Sequence, residues 1–404
     1  MRRSLWLVFG VVVVGAAAWA GSWGASASAS ERDALADASF DEIASAELAA
    51  RDTQIAVWRI ALGQDPVSAI ALGQLAGLHL QRSREGGGWR DILTAESYAR
   101  RSWRTRQVHN GAAAATLVAT LVAQHRFAAA DSIATALVAR EPDVPEYRAI
   151  LGEIAMELGD DARAAAAFAA SMSARYTPSV APRLARWHEL RGDVHEARRL
   201  LTNARDSMGT RHGVPDEVRA WYALRLGELE RRASRPRRAA RVFRGGLALR
   251  PGDPRILAAM TRLAADRAAP RDVITWGERA IAAELDPEVL LLLATAYGQL
   301  GRADEAARAR DAFEVATSVL GDAPFHRAWS LLLLDRGERV AEQLQRAERE
   351  VSERGDVYAL DFQAWALQRS GRNTEARVAM QQALRMGTRD PLLERHRREI
   401  EALP

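Results

Sequence analysis

Apolar positions along the chain fall three and four residues apart within segments of about twelve residues, the spacing that lines one face of an α-helix. Polar breaks containing Gly divide these segments, and the whole pattern returns about every 34 residues. One period holds an apolar residue before Gly, a small polar turn seven residues later, then Ala, a large apolar residue and often Pro. It reads Leu226-Gly227, Ser234, Ala239, Phe243, Gly246 and Pro251 in one stretch, and Leu151-Gly152, Gly159, Ala164, Phe168 and Ser171 in another. A period of this length predicts stacked helical hairpins, each too small to bury its apolar face alone.

Each position in the period has a packing reason. Gly152, Gly227 and Ala294 are small where the first helix of a hairpin must approach the second. Gly159-Asp160, Gly192-Asp193, Gly301-Arg302 and Gly371-Arg372 stand where the first helix must stop, because Gly accepts the left-handed conformation that ends helices. About five residues later come Ala164, Ala197, Ala306 and Ala376, small enough for the second helix to fold back.

The order Leu-Gly, Tyr, Gly, Ala, Phe, Ala, Pro resembles the tetratricopeptide repeat family, with repeats registered at 111–144, 145–178, 179–214, 220–253, 254–286, 287–320, 323–356 and 357–390. The resemblance implies an all-α fold, a right-handed superhelical solenoid of antiparallel helix pairs with about nine to ten repeats. Two units depart from the pattern. Glu342 and Arg346 replace the usual Ala and aromatic in the repeat at 323–356, and Arg310 takes the aromatic site of the repeat before it.

Outside residues 111–390 the pattern fades. Residues 31–110 read as degenerate hairpins: a first helix around Leu35 to Ala49 with its partner ending near Trp58, Ala61 and Pro66, then a unit at 67–110. Arg84 to Arg90, with Gly86-Gly87-Gly88, reads as a flexible insertion, since no Lys follows to make a phosphate loop. Residues 391–404 read as a charged capping helix, as terminal repeats require. At the other end Arg2 and Arg3 precede an apolar run from Leu5 to Ala20 and the small residues Gly21 to Ser30, the order of a secretory signal peptide over 1–29. The run falls short of the roughly twenty residues of a membrane span, so cleavage is expected, with an uncleaved anchor as the alternative.

Composition narrows the chemistry. Cys is absent, which excludes disulfides, thiolate catalysis and Cys-bound metal clusters. Every basic residue is Arg, so Walker-type phosphate loops and Schiff-base mechanisms are excluded too. The net charge of +4 drops to +2 without Arg2 and Arg3, which leaves little global pull on nucleic acid or anionic lipid. His188-Glu189 and His195-Glu196 each begin like a zincin motif, but neither has a second His four residues on. No Gly-x-Ser-x-Gly elbow is present. Neither catalysis nor a cofactor or metal is expected.

Candidate contacts therefore lie on the surface. The family resemblance implies binding on the concave face lined by first helices, which would carry Arg183 and Arg186, then Trp221, Arg225, Glu228 and Arg232. Tyr358, Phe362 and Trp365 would add an aromatic contact further on. Guanidinium with Trp suits a protein or peptide partner, an acidic or carboxylate-bearing one in particular. A run of arginines around Pro236, from Arg231 to Arg244, reads as a solvated outer face and lacks the interleaved aromatics of nucleic-acid binding. The expectation is an exported, non-enzymatic scaffold in the cell envelope, periplasmic or secreted; the alternative is a membrane-anchored assembly factor, with membrane contact only through a retained N-terminal segment.

Overall fold

The computed structural model describes residues 40–173, 177–209, 212–320 and 327–402. Residues 1–29, the expected export segment, lie outside them. Among the described residues all regular structure is helical. A long helix, Phe40–Gln64, is followed by nine hairpins and a last helix, Pro391–Glu401. The hairpins run Ala69–Arg82 with Trp89–Thr105, Gly111–Ala123 with Phe127–Arg140, Pro145–Glu157 with Asp161–Ser173, Ala181–Leu190 with Val194–Gly209, and Asp216–Arg232 with Pro236–Leu249. They continue with Pro254–Asp266 and Pro270–Ala283, Pro287–Gln299 and Ala303–Leu320, Arg327–Arg336 and Val340–Glu353, and Val357–Arg369 and Asn373–Ala383. Along most of the chain first helices of successive hairpins touch one another, so they form the inner wall of the curve.

Local chemistry sets the helix ends. Asp253, Asp286, Asp356 and Asp390 each cap the helix that follows by accepting its first free N–H groups, and in three of the four Pro takes the next position. At the hairpin turn Gly159 adopts φ +78°, the left-handed geometry that stops the preceding helix. Within a hairpin, Gly227 admits the ring of Phe243: a Cβ on Gly227 would lie 2.2 Å from that ring's Cε1. Phe243 is thereby fully buried, worth about 2 to 3 kcal/mol of apolar transfer.

Two upstream expectations are corrected. Phe40–Gln64 is one unbroken helix, so no hairpin ends near Trp58 and Ala61. The Gly-rich segment is not a flexible insertion. Ser83–Gly87 forms a wide π-helical turn in which Gly86 takes φ 112°, and Glu85 at its centre is buried, accepting from Arg51 at 2.6 Å and from Gln81 at 2.9 Å. Positive φ at Gly86 and Gly88 is what lets the chain turn sharply enough to send Glu85 inward.

The superhelix closes on itself. Arg250 donates to Glu47 at 2.6 Å across 203 residues, Arg354 to Glu157 at 3.2 Å across 197, and Thr388 to the carbonyl of Leu190 at 2.5 Å across 198. These separations agree to within a few residues and amount to about six repeat periods. Backbones meet as well: the amide of Gly355 donates to the carbonyl of Leu158 at 3.2 Å, and a Cβ on Gly159 would lie 2.3 Å from the carbonyl oxygen of Gly355. Successive turns of the solenoid are therefore docked against each other through polar contacts and Gly.

Candidate interaction surface

The inner wall carries a charged cluster around Glu189, the penultimate residue of Ala181–Leu190. Arg186 reaches its carboxylate at 3.1 Å and Arg225 at 3.3 Å, and Arg232 donates to the other oxygen. Arg232 also lies 3.7 Å from Glu228 and 4.0 Å from Asp390. Burial alone would raise the Glu189 carboxyl, but Arg232, Arg186 and Arg225 together hold it well below the usual carboxylate range. The guanidinium of Arg186 lies over the ring of Tyr358 at 5.1 Å, and that of Arg327 over the same ring at 4.8 Å. Four inner helices and a capping Asp from the far end of the chain thus meet in one network.

Five of the residues singled out on the sequence, Arg186, Arg225, Glu228, Arg232 and Tyr358, are brought together here, but committed to each other and to Glu189. Arg183 does not join them; it is buried and donates to Glu153 at 2.7 Å. Trp221 is half-buried against the core and packs edge-on to Tyr222 with ring centroids 5.0 Å apart. Phe362 and Trp365 are not an exposed aromatic contact. Both are core residues, with the Trp365 indole donating to Asp335 at 2.9 Å and stacked on His396 at 4.4 Å. Tyr358, Phe362 and Trp365 share one face of Val357–Arg369 at helical spacing, but beyond Tyr358 that face is covered by the last hydrophobic cluster, with His396 of Pro391–Glu401 lying on Trp365.

A second network lies around Arg250. Arg250, almost wholly buried, pairs with Glu47 and with Asp253 at 2.9 Å, and donates weakly to the carbonyl of Glu85 at 3.4 Å. Arg255 bridges Asp253 and Glu217 at 2.9 and 2.7 Å. Burial pushes Glu47 up to about 7 in spite of Arg250. The sequence signal for the local half of these contacts lies in the Asp caps, which hold an arginine as well as helix N–H groups: Asp253 holds Arg250, Asp286 holds Arg262 at 3.4 Å, and Asp356 holds Arg354.

The histidine motifs assemble nothing comparable. His188 lies 3.3 Å from Asp193 and His195 is exposed. Among the described residues no group of three His, Asp or Glu side chains is placed to hold a metal ion. Among the same residues, no helix is long and apolar enough to cross a membrane.

Residues 116–175 match the tetratricopeptide repeat family model. Similar solved structures include the Cut9–Hcn1 hetero-tetramer of the APC/C, at TM-score 0.51 and 13% identity, covering 87% of this chain and 58% of that one. They also include a human IFIT1 dimer with m7Gppp-AAAA, at TM-score 0.51 and 13% identity, covering 79% of this chain and 72% of that one. No curated protein sequence matches the chain. Fold and inner wall together define a helical-repeat scaffold. The family match places the tetratricopeptide repeat at 116–175, and similar helical hairpins continue on both sides.

Proposed function

We propose that the protein is an exported, non-enzymatic scaffold that holds a protein or peptide partner in the cell envelope. The observation that carries this reading is the set of ion pairs that holds the wall together: neighbouring hairpins are tied through Glu189 and successive turns through Arg250–Glu47 and Arg354–Glu157, so the remaining surface is presented in one fixed geometry. Preorganisation of that kind lowers the ordering cost of capturing a partner. The inner arginines serve the scaffold rather than the partner, because an acidic peptide would have to displace Glu189 to reach them. Export rests on the N-terminal order of two Arg, an apolar run and small residues.

The test is in-cell crosslinking of the mature protein, with identification of the captured species and sequencing of the mature N-terminus. A protein crosslink and a start near Ser28 or Ser30 support an exported scaffold. Retained Met1 turns the reading toward a membrane-anchored assembly factor. A crosslink to cytoplasmic nucleic acid instead of protein overturns it.

A further inference from the structure

The run of arginines around Pro236 divides into two groups with opposite fates. Arg231 pairs with Asp266 at 2.8 Å and with Glu228 at 3.1 Å, Arg232 with Glu189, and Arg235 lies 3.6 Å from Glu230. Arg237, Arg241 and Arg244 are exposed and make no ion pair or hydrogen bond among the described residues. The side chain of Arg267, which follows the next helix, Pro254–Asp266, is likewise exposed and without such a partner among the described residues. These four guanidinium groups surround one depression of about 580 Å³, floored by Pro236 and Ala240. That volume lies inside the range of roughly 300 to 1,000 Å³ typical of ligand clefts.

The charge is unusual for this chain. Many arginines of the inner wall are paired with carboxylates, yet Pro236–Leu249 contains four arginines and no acidic residue at all. Arg237 stands in the first turn, where the helix dipole disfavours a cation. Like charges gathered around a concavity repel one another until an anion enters.

We propose that this depression is a docking site for an acidic segment of a partner protein. Spacing favours an extended peptide: Arg237 and Arg241, four residues apart on a helix, are offset by about 6 Å along the axis. Every second residue of an extended chain repeats at about 6.6 Å. Carboxylates two residues apart would therefore meet successive guanidinium groups, each capable of the bidentate pairing that Arg offers and Lys does not. Gly245 and Ala248, small and exposed on the same helix, leave the approach open. No aromatic side chain lines the depression, so bases have no stacking platform, and its concave form does not match the plane of a bilayer. The site deepens the scaffold reading and rests on it.

The test uses the mature full chain and a fluorescent hexapeptide of alternating Glu and Ser, followed by anisotropy at low and moderate salt. Binding is expected, weakening as salt rises, and about tenfold or more weaker in the Arg241→Glu, Arg244→Glu double variant. The exposed pair Arg308→Glu, Arg310→Glu should leave it unchanged. Circular dichroism checks that both variants keep their helices, and Arg241→Gln with Arg244→Gln should give an intermediate loss. Equal binding by wild type and double variant overturns the proposal, as does no peptide binding at all. Stronger patch-dependent binding of a thymidine oligomer or of phosphatidylglycerol vesicles also overturns it. If in-cell crosslinking still captures the same partner with the double variant, the scaffold reading stands and the docking site falls.

Discussion

Docking of successive turns makes a sharp prediction at Gly159, which has a natural control in Gly371. Both end a first helix with nearly the same backbone geometry, φ +78° and +81°. Replacing either by Ala therefore carries the same left-handed penalty, about 1 to 2 kcal/mol. Their surroundings differ completely. A Cβ at Gly371 meets nothing within 4 Å, whereas at Gly159 it would lie 2.3 Å from the carbonyl oxygen of Gly355 and 2.5 Å from its carbon. Those are backbone atoms and cannot rotate aside, so the docked turn must retreat. Overpacking of this kind costs about 1 to 3 kcal/mol, and the bond from the Gly355 amide to Leu158 is lost with it. Gly159→Ala should accordingly destabilise by about 1 to 3 kcal/mol more than Gly371→Ala. Urea unfolding followed by circular dichroism measures the difference, and hydrogen exchange at the Gly355 amide locates it. Equal losses in the two variants, with Gly355 still protected, would refute turn-to-turn docking.

Four further outcomes follow from other contacts. Gly227→Leu drives a side chain into the ring of Phe243 and should lower the unfolding midpoint by an amount worth about 1 to 3 kcal/mol; an unchanged midpoint would show that the two helices are not in contact there. Glu189→Gln leaves three guanidinium groups without their shared carboxylate and should cost about 3 kcal/mol or more, so urea stability like that of wild type would count against the network. Because the Glu189 carboxyl is held below its ordinary value, its contribution is complete above about pH 4.5 and fades as pH falls below that, a slope the Gln variant should lack. Burial pushes Glu284 up to about 8 from 4.5, so the folded state holds that proton more tightly; its effect is absent below about 4.5, stability declines as pH rises toward 8, and Glu284→Gln should remove the decline.

The hairpins were legible because each is specified locally. Gly227 and Phe243 sit sixteen positions apart in one hairpin, and the apolar spacing around them repeats in every unit. What could not be read was anything joining distant turns. Glu189 was visible only as half of a failed metal motif, since its partners Arg225 and Arg232 belong to the next hairpin. Arg250 and Glu47 have no local signature at all, because their meeting depends on the pitch of the whole superhelix. Arg183, Phe362 and Trp365 were misplaced for a related reason: a helical stripe shows which residues share a face, but not whether that face meets solvent or another turn. The inner arginines also change meaning. Reversing their charge would break buried pairs and destabilise the fold, rather than merely release a partner.

Docked turns bear on how such a chain can change its length. A solenoid whose units touch only their neighbours can gain or lose one unit at little cost, and its stability grows roughly by addition. Here Leu158 must find Gly355, and Leu190 must find Thr388, on the turn above. Inserting or deleting a single hairpin between them would rotate one turn past the other and separate the Arg354–Glu157 and Arg385–Asp161 pairs along the seam. Changes in length are then tolerated at the ends, beyond the docked segments, while the number of units between the paired positions is fixed.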